Sequence, residues 1–192
     1  MYDTIKQTLK HLTLSAMFLA AGLVLPFVTG QIPQIGSMLL PMHLPVLLCG
    51  LVCGWEYGLG VGFILPLMRS LLFGMPPMFP TAVAMAFELA AYGGLVGLFY
   101  GRSRWKCVVA LYRALLAAMV GGRLVWGGVM VALTGMSGSG FTWAMFLSGA
   151  FLNAIPGIVL QLLFVPVMMI ALDRTGLVRF HRKKNHKAAN RC

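Results

Sequence analysis

Residues 81–106 read TAVAMAFELAAYGGLVGLFYGRSRWK. The first twenty carry a single charge, Glu88, and the next six carry three, Arg102, Arg104 and Lys106. About twenty apolar residues, rising about 1.5 Å each as an α-helix, cross the roughly 30 Å hydrocarbon core of a bilayer. A basic cluster directly after such a run marks the cytoplasmic exit of a membrane span. This stretch therefore predicts a transmembrane helix over residues 81–100 and a cytoplasmic loop over 101–106.

The pattern recurs in both directions. Toward the C-terminus, apolar runs over residues 107–133 and 142–172 flank a Gly/Ser loop at 135–140, and Pro156 and Pro166 are expected to bend the last one. Toward the N-terminus, residues 58–73 form a glycine-rich span with Pro66 inside it, and Gly74 with three prolines up to Pro80 ends it. Residues 55–57 read as a short polar turn. Residues 43–54 are apolar but too short for a standard span, which predicts either an extension by the preceding loop or a partial helix shielded by its neighbours. Residues 31–41 read as a loop, and residues 12–28 as the first span, retained rather than cleaved because no small-residue cleavage site clearly ends it.

Of 192 residues, 59% are hydrophobic and 10% charged. A soluble domain carries about 25% charged residues. The expectation is an all-α integral membrane bundle of about six transmembrane helices in one domain. It comprises an N-terminal segment over 1–11, a bundle over 12–172 and a basic tail over 173–192. The net charge of +11 does not point to nucleic acid. Its lysines and arginines cluster at the N-terminal segment, the 101–106 loop and the tail, while the loops at 31–42, 74–80 and 135–141 carry none. Alternation around six spans puts both termini in the cytoplasm, with anionic inner-leaflet lipid facing the basic clusters.

Charges inside a span are costly and need a reason. Depth follows from the helical rise. Arg69 lies about 8 Å from the outer end of its span, Glu88 about 10 Å, Arg123 about 15 Å and Asn153 about 16 Å. An internal Arg69–Glu88 pair tying helices together is one reading. A polar substrate site open to the outside is the other, and Arg123 favours it because it is too deep to snorkel. Trp126 and Tyr92 stand one turn from Arg123 and Glu88. His43, at the outer start of the short segment, is either a site residue or a hydrogen-bonded structural one. Asn153 with Gln161 could instead form interhelical hydrogen bonds. An unpaired Arg123 would suit an anionic cargo such as pantothenate. Pyridoxine-type vitamins come next, with stacking from Trp126 and Tyr92.

Small residues spaced four apart, at Ala16/Ala20, Gly58/Gly62, Gly93/Gly97 and Gly97/Gly101, predict close helix contacts. Cys49 and Cys53 share one helix in a geometry poorly suited to a disulfide. No phosphate-binding loop, zinc motif or nucleophile motif is present. Neither an enzyme nor a cofactor or metal site is expected, and a self-contained secondary transporter or channel is the alternative reading.

The layout, together with Ala16-Met-Phe-Leu-Ala20, His43-Leu-Pro-Val-Leu-Leu, Gly54 and Met75-Pro-Pro-Met-Phe-Pro80, resembles the S components of energy-coupling factor (ECF) vitamin transporters. The resemblance implies a subunit of the bacterial plasma membrane that captures a vitamin or related micronutrient near the outer side. It implies a membrane coupling protein docked on Ala16 and Ala20, and two cytoplasmic ATPase subunits that carry out hydrolysis. It further implies that residues 31–42 act as a lid.

Overall fold

A computed structural model describes residues 2–28, 41–103, 108–136 and 155–174. Among these residues the protein is helical, without strands, as the apolar runs predict. Six α-helices follow in order: α1 Tyr2–Val28, α2 His43–Cys53, α3 Trp55–Phe73, α4 Val83–Arg102, α5 Val108–Met136 and α6 Ile155–Arg174. An irregular turn, Met78–Ala82, leads into α4, with Phe79 in an extended conformation. All but α2 are long and apolar enough to cross a membrane.

Several boundaries differ from expectation. Helix α1 begins at Tyr2, so the N-terminal segment continues the first span as exposed helix. Trp55, Glu56 and Tyr57 are not a turn but the first turn of α3. The break lies at Gly54 alone, whose φ of 106° and ψ of 170° fall in a region open essentially only to glycine. Helix α3 ends as expected at Gly74, which is left-handed and donates its N–H to the Ser70 carbonyl. Residues 142–154 of the predicted last span, and the 31–40 part of the expected lid, lie outside the described residues.

The short helix α2 is the centre of the bundle. Ten of its 11 residues are buried, and α1, α3, α4 and α6 pack around it. A segment too short to span is tolerated here because protein, not lipid, surrounds it.

Glycines let α2, α3 and α4 meet backbone to backbone. A Cβ on Gly58 would lie 2.6 Å from both the Gly50 Cα and the Gly93 carbonyl oxygen. One on Gly97 would lie 2.7 Å from the Gly50 carbonyl oxygen and from the Trp55 backbone. Gly62 is pressed against the Leu89 carbonyl. The Gly58/Gly62 and Gly93/Gly97 spacings are therefore packing faces, whereas Gly101 meets nothing within 4 Å, and Gly50, outside the expected pairs, joins the contact.

The largest apolar core unites Leu44, Leu47, Leu48 and Leu51 of α2 with Tyr92, Val96 and Tyr100 of α4. From α5 it takes Leu111, Leu115 and Met119, and from α6 Val165 and Met169. The outward positions are equally apolar: Leu71 is 73% exposed and Leu163 65%. Water does not accept such a surface, but lipid does.

Candidate substrate site

At the end of the core away from Arg102 and Arg174, the buried stripes of three helices change from apolar to polar. Each change comes one helical turn beyond a core residue. Glu88 precedes Tyr92 on α4, Arg123 follows Met119 on α5, and His43 precedes Leu47 on α2. Residues four apart lie on one helix face, so these side chains point toward a common centre.

The contacts agree. Arg123 Nη1 lies 2.9 Å from Glu88 Oε1, and His43 Nε2 lies 3.7 Å from the same oxygen. All three side chains are buried. The His43 ring stands edge-on to the Tyr92 ring at 4.9 Å between centroids. Gly122 on α5 lies against the face of Tyr92, where any larger residue would displace the ring. Trp126 lies one turn beyond Arg123 and is half-buried.

The cluster is incompletely paired. Both ring nitrogens of His43, and Nε and Nη2 of Arg123, are buried without a hydrogen-bond partner. A buried polar group left in that condition costs about 1–3 kcal/mol.

Arg69 does not pair with Glu88. Its Nη1 donates to the Leu23 carbonyl of α1 at 3.2 Å. Its guanidinium lies between the Phe27 and Phe73 rings, 5.7 and 5.9 Å from their centroids. The helical rise put Arg69 and Glu88 at similar depth, but depth does not specify direction, and Arg69 faces the α1–α3 seam. Of the two partners open to Arg123, Glu88 or an anionic cargo, the structure has Glu88 beside it. Asn153 lies outside the described residues.

Ala16 and Ala20 are exposed on α1. The opposite face of α1 carries His11, Ser15, Phe18 and Gly22 against α2 and α3. His11 was not singled out in the sequence, where it reads as one more residue of the N-terminal segment. Its Nδ1 lies 3.0 Å from the carbonyl of Cys53 at the end of α2, and its ring stacks on Tyr57. It thereby serves a carbonyl that α2 leaves unpaired at its C-terminus. Cys49 and Cys53 are free and buried.

The fold and the cluster define a multi-pass helical membrane protein that carries a polar site within its bundle. Residues 10–169 match the family model of the ECF transporter substrate-specific component, and the chain belongs to that family. It is a substrate-binding transport subunit of an ECF-type importer, with a small-molecule substrate and the ECF module as partner. No curated protein and no solved structure matches the chain.

Proposed function

We propose that this subunit captures a small, net-neutral, ring-bearing vitamin from the outside, at a site formed by His43, Glu88, Tyr92 and Arg123. Trp126 completes the wall, and Arg69 serves helix packing. The observation that carries this reading is the Glu88–Arg123 pair with unpaired donors still on Arg123 and His43. A formal charge of zero on the pair removes the reason for an anionic cargo. The remaining donors favour a neutral cargo rich in acceptors, and the rings of Tyr92 and Trp126 favour a flat one. A pyridoxine-type vitamin then stands ahead of pantothenate.

The rest of the reading concerns orientation and partners. Both termini face the cytoplasm of a bacterial cell, and the coupling protein of the ECF module docks on the exposed Ala16/Ala20 face. Isothermal titration of the purified protein against a vitamin panel that includes pyridoxine and pantothenate tests the cargo. Binding of pyridoxine-type compounds is expected. Tight binding of pantothenate alone would overturn the net-neutral reading, and binding of none of the panel would overturn the vitamin assignment.

A further inference from the structure

Helix α6 carries a buried stripe at Gly157, Gln161, Val165 and Met169, each four residues from the next. Val165 and Met169 belong to the core that also holds Tyr92, Leu47 and Met119. Gln161 is one turn beyond Val165, in the same relation that Glu88 bears to Tyr92, Arg123 to Met119 and His43 to Leu47. The levels agree as well. At about 1.5 Å per residue, Gln161 stands about 20 Å from Arg174, Glu88 about 21 Å from Arg102, and Arg123 about 22 Å from Val108. Helix α6 packs against α2 and α5, which carry His43 and Arg123.

Gln161 is fully buried, and neither its amide oxygen nor its amide nitrogen has a hydrogen-bond partner. A structural glutamine between helices would hold one. The amide presents a donor and an acceptor side by side, a pattern that neither the donor-only Arg123 nor the acceptor-only Glu88 can offer.

We infer that Gln161 is the specificity-determining residue of the polar layer, reading a cargo edge that carries a hydrogen-bond acceptor next to a donor. Suitable edges are two neighbouring hydroxyls, one donating and one accepting, as pyridoxine-type compounds carry on adjacent ring substituents, or an amide, a lactam, or a ring nitrogen beside an amino or hydroxyl group. The inference rests on the substrate site proposed above and names the chemistry that the site selects. A site built to bond a polar edge rejects analogues that lack it, because its own buried groups are then left unpaired.

The test uses the full-length chain in detergent, titrated with pyridoxine, pantothenate, nicotinamide, biotin, thiamine and riboflavin. Wild type, Gln161→Met and Arg123→Gln are compared. Gln161→Met preserves length and removes the amide. Its thermal midpoint without ligand should equal or exceed that of wild type, because an unpaired buried amide is lost. Its affinity for the compound that wild type binds should fall about tenfold to a hundredfold. Discrimination against an analogue of that compound lacking the donor–acceptor edge should shrink by a similar factor. Unchanged affinity in Gln161→Met, with Arg123→Gln weakened, overturns the inference and leaves the site standing. A lowered midpoint with unchanged affinity assigns Gln161 to helix packing and overturns it too. Affinity unchanged in both folded variants, or no binding by wild type, overturns the proposed site and the inference with it.

Discussion

At the scale of single residues, the Glu88–Arg123 pair dominates. Two charges taken out of water retain little net benefit from each other, but either one left alone is severely destabilising. Glu88→Gln or Arg123→Gln should each lower stability by about 3–5 kcal/mol. The double variant Glu88→Gln/Arg123→Gln should lose clearly less than the sum, since no unpaired charge remains. Thermal unfolding in one detergent measures all three. Additive losses would mean that the 2.9 Å contact does not couple the residues. How far the site was legible differs residue by residue. Glu88, Arg123 and Tyr92 stand out because charges and polar aromatics within apolar runs are few. Gln161 was visible too, but its meaning depends on whether its amide is paired, which one chain position cannot reveal.

At the scale of helices, close approach at the α2–α3–α4 junction depends on hydrogen in place of a side chain. Gly93 faces the Gly58 carbonyl so closely that a methyl group cannot fit without moving backbone. Gly60, two residues further along α3 and so on another face of the helix, meets nothing within 4 Å. Gly93→Ala should therefore cost about 1–3 kcal/mol or more through overpacking. Gly60→Ala should be neutral or gain up to about 1 kcal/mol from helix propensity. Equal effects of the two substitutions on the thermal midpoint would contradict the packing described. Spacing in the sequence found four members of this junction, Gly58, Gly62, Gly93 and Gly97. It missed Gly50, whose spacing partner Gly54 sits at the break between α2 and α3 and meets nothing within 4 Å, and it added Gly101, which faces open space. A small residue marks an available approach, and only a neighbouring helix uses it.

At the scale of the whole molecule, α1 has two distinct faces. One holds His11, Ser15, Phe18 and Gly22 against the bundle, and the other exposes Leu12, Ala16, Met17 and Ala20. Bulk on the outward face should leave the bundle intact and obstruct a docked partner. Ala16→Trp combined with Ala20→Trp should abolish vitamin uptake in cells while leaving ligand affinity of the isolated chain within about twofold, because neither residue touches the proposed site. Uptake at the wild-type rate would place docking elsewhere. Orientation is checked by cysteine labelling from outside intact cells, after replacement of Cys49, Cys53, Cys107 and Cys192. Ser137→Cys should react and Ser103→Cys should not; the reverse pattern would invert the proposed topology.

The sequence by itself determined that the chain is an all-helical membrane bundle, roughly where its spans lie, and which family it resembles. The first two depend on run length and charge distribution, and the third adds short motifs such as Ala16-Met-Phe-Leu-Ala20; all are properties of consecutive residues. Which face of each span turns inward was left to the tertiary structure. In water the inward face is the apolar one, but lipid is as apolar as a protein core, so Leu163 facing out and Val165 facing in read alike. The same ambiguity left Arg69 as a claimant for Glu88 and Arg123 as a claimant for the cargo. Helix rotation settled the choice, directing Arg69 to the α1 backbone and two aromatic rings and Arg123 to the carboxylate. Pairing is a matter of direction between helices, and direction exists only once the helices are packed.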